Sequence, residues 1–276
     1  MLVAVGGMAL LMLVLLVATL ARAGASPGSS GAVADRGPGF GKMIAPCSVA
    51  ERRAKLRCPD LKMRKPFDLW FSRSPSGRLV LHSANDIRSR GAGPLEVRGR
   101  RIEPNRRPKW MEAHQVIYKR GPGKFHRKPS ASLTFHPIPY QGSYWKYADA
   151  AQFEMWSLNR DRQPVRRVRV GPKLDYCFRD LERTLPSPAS PASFVYPGCS
   201  QDPNISRVTL GTSVGWSDVY PSNYDDNWID VTRLKGCFLF RQLADPKNQL
   251  SELNEKNNVG KRRLRLTGSP TRIRSC

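Results

Sequence analysis

Short stretches of strand-forming residues, separated by turn residues, follow one another along most of this chain. They are rich in β-branched, aromatic and leucine residues, and Gly, Pro, Ser, Asn or Asp residues lie between nearly all of them. We expect no amphipathic helix of useful length, and only one short helical turn, at RDLER (179–183). This spacing predicts an all-β domain, built as a β-sandwich with long loops. The predicted strands are FDLWFS (67–72), RLVLHSAND (78–86), GPLEVRG (93–99), HQVIYKR (114–120), ASLTFH (131–136), QFEMWSL (152–158), VRRVRV (165–170), KLDYCF (173–178), NWIDVT (227–232), GCFLFRQL (236–243) and VGKRRLRL (259–266).

The N-terminus carries an apolar run that predicts export. MLVAVGGMALLMLVLLVATL is followed by Ala21-Arg22-Ala23, which has the small-x-small form that signal peptidase prefers. No Lys or Arg precedes the run, and residues 2–20 are also long enough for a membrane anchor. We therefore predict a signal peptide or N-terminal anchor at 1–25, and a protein that is secreted or membrane-anchored.

Two further regions follow the targeting segment. Residues 26–57 contain a Gly/Ser/Pro-rich linker and then a cysteine-bearing segment, and residues 58–276 are predicted to form the β domain. The Pro-rich stretch 184–194 within that domain is predicted to be a long surface loop.

All six cysteines lie after the targeting segment, where export places them in an oxidising compartment. An even number of cysteines in such a compartment favours disulfides, although spacing alone does not choose among the pairings. Pairing between sequence neighbours is our prediction, and no C-x-x-C motif suggests a zinc ribbon or redox site. The predicted pairs are Cys47 with Cys58, Cys177 with Cys199, and Cys237 with Cys276.

Lysine and arginine outnumber the acidic residues by 46 to 22, which gives a formal net charge of +24. This charge favours a polyanionic partner, such as an anionic cell-wall polymer, anionic lipid or an acidic protein. A compositional bias without any partner is the other interpretation. Basic residues are dense in 88–107 and 260–266, but no nucleic-acid-binding motif accompanies them, so we do not expect a nucleic-acid partner.

Three stretches together carry a family resemblance. They are GTSVGWSDVYPSNYDDNWIDVT (211–232), PKLDYCFRD (172–180) and QLSELNEKNN (249–258), which precedes a final basic strand. This set resembles the lysyl oxidase family, in the form seen in exported bacterial relatives, over about residues 60–268. The resemblance implies copper-dependent oxidative deamination of primary amines, above all of peptidyl lysine.

The resemblance also implies lysine tyrosylquinone, a cofactor formed from one lysine and one tyrosine of the protein. The lysine falls on Lys173, four residues before Cys177, and the tyrosine falls on Tyr220, eight residues before Trp228. An oxidised tyrosine ring carries electrophilic carbonyls to which a lysine amine adds. The product then accepts a substrate amine as a Schiff base.

The copper ligands of the family are histidines in an alternating H-x-H-x-H arrangement. In this chain the alternating positions, within YQGSYWKY (140–147), are Gly142, Tyr144 and Lys146. Copper(II) prefers neutral imidazole nitrogens, whereas lysine is an ammonium and tyrosine a neutral phenol at neutral pH. We therefore predict a degenerate copper motif. A rebuilt site would have to use His114, His126 and His136, whose spacing matches no familiar metal motif.

Two hypotheses follow from the resemblance. A functional oxidase of primary amines or protein lysines requires a rearranged copper site. A non-catalytic member instead uses the same β domain as an extracellular binding domain for an anionic cell-wall or protein partner. The missing histidines favour impaired activity, and they leave both copper and the quinone in doubt. In either case, the N-terminal segment is the expected route to a membrane.

Overall fold

The computed structural model describes residues 47–121, 125–267 and 273–276. The predicted signal peptide or anchor at 1–25 lies outside the described residues, as does most of the predicted linker. Within the described part of the chain, no helix is long and apolar enough to cross a membrane.

The described residues form one short helix, α1 (Ala50–Lys55), and a succession of β-strands. Most of the predicted strands appear, some of them extended at one or both ends. The strands are β1 (Leu56–Arg57), β2 (Pro59–Met63), β3 (Phe67–Arg73), β4 (Leu79–Gly91), β5 (Leu95–Arg100), β6 (Trp110–Lys119), β7 (Phe125–Ile138), β8 (Gly142–Leu158), β9 (Pro164–Tyr176), β10 (Arg207–Thr212), β11 (Ser217–Tyr220), β12 (Trp228–Asp230), β13 (Gly236–Ala244) and β14 (Val259–Leu266).

The strands form two antiparallel sheets. The larger sheet has nine strands in the order β10-β5-β6-β7-β8-β13-β14, with β1 beside β6 and β9 beside β8. The smaller sheet has five strands around β4, which pairs with β3 and β12 along its first half and with β2 and β11 along its second half. The sheets form a curled, sandwich-like arrangement, which confirms the predicted fold class.

One hydrophobic core lies between the sheets. The larger sheet contributes Trp145, Phe153 and Phe240, and the smaller sheet contributes Leu81 and Ile87, all of them buried. Burying a large apolar side chain contributes about 1.5–3 kcal/mol relative to leaving it exposed. Because side chains alternate along a strand, only one face of each strand needs to be apolar, which is why the sequence pattern predicted the strands.

The predicted disulfides are confirmed. Each of the three pairs joins the cysteines that are neighbours in sequence, and the described residues contain no free cysteine. The 22-residue separation between Cys177 and Cys199 closes a loop that contains the Pro-rich stretch 184–194, which forms no strand. Because this disulfide restricts the unfolded chain, closing a loop of this length adds about 3 kcal/mol to the free energy of unfolding. The pairs are Cys47–Cys58, Cys177–Cys199 and Cys237–Cys276.

Two local predictions differ from the structure. VRRVRV and KLDYCF, predicted as separate strands, belong largely to one strand, β9, because bulges in its pairing with β8 carry the chain through Gly171 and Pro172. The helical turn predicted at RDLER is absent. Glu182 instead forms a β-bridge with Ser217. Its backbone N–H donates to the Ser217 carbonyl, and its own carbonyl accepts from the Ser217 N–H.

Candidate functional site

A pocket of about 300 Å³ lies beside the first residues of β8 and the end of β11. Its wall contains phenol, amine and guanidinium groups together with an apolar side that includes a disulfide. The lining residues include Tyr144 and Lys146 of β8, Tyr220 of β11, Tyr224, Arg179, Leu181, Val219, Pro221 and the Cys177–Cys199 pair.

Lys146 carries a buried amine in this wall. The residue is only 2% exposed, and its Nζ donates a hydrogen bond to the Tyr224 hydroxyl at 2.7 Å. Nζ lies 4.8 Å from the centroid of the Tyr224 ring and 5.2 Å from that of Tyr220. The amine is therefore held against two aromatic rings, where a cation gains from the ring quadrupoles.

Burial lowers the pKa of Lys146 to about 8, since the interior disfavours the charged form. Nearby carboxylates oppose the shift, but none of the described acidic residues forms an ion pair with Nζ. At pH 7 most of the amine is still protonated, but its neutral fraction is far larger than that of an exposed lysine. The opposing carboxylates are those of Asp175, Asp218 and Asp226.

Tyr220 is held on several sides. Its ring lies 4.3 Å from the ring of Tyr176 and 4.6 Å from that of Tyr224, the latter in an edge-on arrangement. Its hydroxyl accepts a hydrogen bond from the Cys177 backbone N–H at 2.9 Å. Burial raises the pKa of Tyr220 well above its usual value, so the side chain stays a neutral phenol.

Asp218 and Arg179 complete the electrostatics of the site. Asp218 is buried, which raises its pKa to about 7, and the positive charges of Arg179 and Lys146 limit that rise. The Arg179 Nε lies 3.9 Å from Asp218 Oδ1, and its side chain is partly exposed to the pocket. The pocket thus presents two basic groups, one buried and one at the surface.

Comparison with known proteins connects this pocket to a family. The family model described as lysyl oxidase matches residues 140–276, about half of the chain, and the match begins at the pocket's first residues. The chain belongs to the lysyl oxidase family. Protein-lysine 6-oxidases from Sus scrofa and Bos taurus are each 26% identical to this chain over 131 residues.

The matched stretch is 47% of this chain, 47% of the pig protein and 28% of the bovine protein. The chain therefore aligns with about half or less of the length of these relatives. Its match to the lysyl oxidase family model lies in the second half of the chain.

Two of the three residues predicted at the degenerate copper motif, Tyr144 and Lys146, line the pocket together. Gly142, two residues before Tyr144, has a φ of 98°, a conformation that L side chains rarely adopt. A Cβ at Gly142 would also lie 2.9 Å from Nε2 of Gln201. In this backbone, a histidine at position 142 would be strained.

The histidines predicted as substitute ligands lie on different parts of the larger sheet. His136 of β7 pairs directly with Tyr144, and its Nε2 is 3.9 Å from Asp226 Oδ2. His114 of β6 pairs with Arg98 of β5, and His126 of β7 pairs with Ile117. Among the described residues, no group of three potential ligands within reach of one ion includes a histidine.

Lys173 is placed away from the pocket. Its side chain is 64% exposed, and its Nζ lies 3.4 Å from Asp149 Oδ1. In β9 the burial pattern puts Lys173 on the opposite face from Leu174 and Tyr176, and Tyr176 is the residue whose ring packs on Tyr220. The structure therefore brings Tyr144, Lys146 and Tyr220 together without Lys173.

Two functional groups of the pocket, those of Tyr224 and Arg179, and the nearby buried carboxyl of Asp218 were not predicted from sequence. Asp218 had a usable signal, because it alternates with Tyr220 in SDVY and so shares a face of β11. Tyr224 and Arg179 had none, since each reaches the pocket from an irregular segment whose path depends on distant contacts.

Proposed function

We propose that this chain is an exported lysyl oxidase-like protein in which copper-dependent oxidation of amines is impaired, and that its β domain binds other molecules. The supporting observation is the amine of Lys146, buried beside Tyr224 at a position where the family places a copper-binding histidine. In its protonated form this amine repels a metal dication, and the neighbouring donors are neutral phenols, which copper(II) binds poorly. These donors do not fit copper.

The position of Lys173 supports the same proposal. The quinone of the family requires the lysine amine to add to the ring of the oxidised tyrosine. Here the Lys173 amine pairs with Asp149, while the Tyr220 ring packs between Tyr176 and Tyr224. If activity is retained nevertheless, primary amines or protein lysines are the substrates that the family suggests.

The purified protein is expected to bind copper weakly and to release no hydrogen peroxide when a primary amine is added. The reason is that no set of imidazoles surrounds the pocket in the described part of the chain. Elemental analysis after copper loading and desalting, a quinone stain and a peroxide assay make the measurement. The pig protein-lysine 6-oxidase, treated in parallel, is the positive control. Stoichiometric copper together with quinone staining would show that the oxidase is intact.

A second candidate function, binding of an anionic polymer, is favoured by a separate groove of about 600 Å³. The groove lies on the outward face of β10, β5, β6 and β7, where Arg207 pairs directly with Arg100. Directly opposed like charges destabilise a sheet, and Glu112, which also lines the groove, lies only within 3.8 Å of the Arg100 guanidinium. A bound anion would add a partner for both guanidinium groups. The basic residues of the groove are Arg98, Arg100, His114, Arg127 and Arg207.

The arrangement around Phe125 suits phosphate, sulfate or carboxylate groups better than nucleobases. The guanidinium carbons of Arg98 and Arg127 lie 5.2 Å and 6.0 Å from the Phe125 ring centroid. These two side chains compete with a base for the ring, whereas their N–H groups match the oxygens of an oxyanion. We therefore assign the groove to an anionic cell-wall polymer.

The double variant Arg100→Glu/Arg207→Glu is expected to weaken binding to a polyphosphate or sulfated-polysaccharide column by about tenfold and to flatten the salt dependence. Elution salt and affinity at several ionic strengths make the measurement. The control, Arg160→Glu/Arg166→Glu, changes the net charge equally at exposed positions outside the groove. An equal loss in the control would mean that diffuse charge alone attracts the polymer.

A further inference from the structure

We propose that Lys146 forms an imine with a small oxo acid, meaning an aldehyde or ketone that also carries a carboxylate, inside the 300 Å³ pocket. This inference goes beyond the proposal of an impaired oxidase, which concerns the same pocket. It rests on that proposal only in taking the Lys146 amine to be unliganded by copper.

The first support is the environment of the amine. Lys146 lines the pocket, and its Nζ contacts the Tyr224 hydroxyl rather than a carboxylate. Lys173 and Lys247, in contrast, both pair with Asp149. A buried amine without an ion-pair partner loses its proton more easily than an exposed lysine does, and the neutral amine is the nucleophile in imine formation.

The second support is a place for the carboxylate. Arg179 lines the same pocket and lies only at the outer limit of an ion pair with Asp218, at 3.9 Å. Its planar fork of N–H donors matches the two oxygens of a carboxylate. Leu181, Val219 and Pro221 supply an apolar wall for a short alkyl chain. The pocket therefore combines a nucleophile, an anion partner and an apolar surface.

The proposed reaction consumes no oxidant and no reductant. The lone pair of neutral Lys146 Nζ forms a bond to the carbonyl carbon, and the C=O π pair moves to the oxygen. The Tyr224 hydroxyl, 2.7 Å from Nζ, donates a proton to that oxygen and recovers one from the nitrogen. The nitrogen lone pair then forms the C=N bond as the C–O bond breaks, and the hydroxyl leaves as water with the second N–H proton, which gives the neutral imine.

Trapping with borohydride tests the inference. Copper-free protein, kept in chelator, is incubated with glyoxylate and reduced with sodium borohydride, and the modified peptides are identified by mass spectrometry. We expect the main adduct on Lys146 and its loss in Lys146→Met. Lys235→Met, which removes an exposed lysine, is expected to leave the yield unchanged. Circular dichroism confirms that each variant is folded.

A second variant separates a specific site from general lysine reactivity. Arg179→Met is expected to lower the adduct yield with glyoxylate about tenfold and to leave the yield with propionaldehyde, which has no carboxylate, unchanged. Labelling spread over exposed lysines, or equal losses with both aldehydes, would overturn the inference.

Because chelator is present, this outcome is independent of the copper result. Failure to modify Lys146 would count only against the imine. Stoichiometric copper and quinone, measured in the separate loading experiment, would count against the impaired-oxidase proposal itself.

Discussion

The double variant Tyr144→His/Lys146→His is expected to bind copper orders of magnitude more tightly than the unmodified protein. In the register of β7 and β8, His136 pairs directly with Tyr144, and Thr134 pairs with Lys146. Directly paired side chains lie on the same face with Cβ atoms about 4.5–5.5 Å apart. Imidazoles at positions 144 and 146 would therefore join that of His136 on one face. Competition with a chromophoric chelator measures the affinity.

Two controls make this result specific. Gly142→His/Lys146→His adds the same number of histidines, but the positive φ of Gly142 opposes one of them, so weaker binding is expected. Adding His136→Ala to the first double variant removes the third imidazole and should reduce affinity again. Equal affinity in all three proteins would show that the β7–β8 face is not the metal-binding surface.

Replacing Lys146 with methionine is expected to raise the free energy of unfolding at neutral pH by on the order of 1–3 kcal/mol. The amine has a pKa of about 8 in the folded protein and 10.5 in the unfolded chain. Between these values the unfolded chain binds more protons, so the stability of the unmodified protein rises with pH through that window. Below about pH 8 the amine is protonated in both the folded and the unfolded state. The folded protein therefore carries the full free-energy cost of burying the charge.

The advantage of Lys146→Met is therefore expected to be largest below about pH 8 and to vanish as the pH approaches 10.5. Urea unfolding at several pH values, with the slope of the transition compared between proteins, measures it. Lys235→Met, at an exposed lysine, should change little at any pH. If the methionine variant is less stable at every pH, the hydrogen bond from Lys146 to Tyr224 stabilises the fold by more than burial of the amine destabilises it.

The all-β fold, the disulfide pairs and the family could be predicted from local features of the sequence. Strand alternation, seen for example in the last four residues of β14, follows from burial of one face, so it is visible without coordinates. Cys177 and Cys199 pair as expected, and SDVY with NWIDVT marked both the family and Tyr220. The alternation in YQGSYWKY also predicted that Tyr144 and Lys146 face the same way.

The character of the pocket was decided only by tertiary structure. The depth at which Lys146 is buried depends on Tyr224, which is distant in sequence, and that burial sets the pKa of the amine. A bulged strand turns Lys173 outward, and a turn before β8 gives Gly142 its positive φ. Sequence patterns report which face of a strand is apolar. Which groups meet across that face, and how far water is excluded from them, depends on the pairing of strands that are remote in the chain.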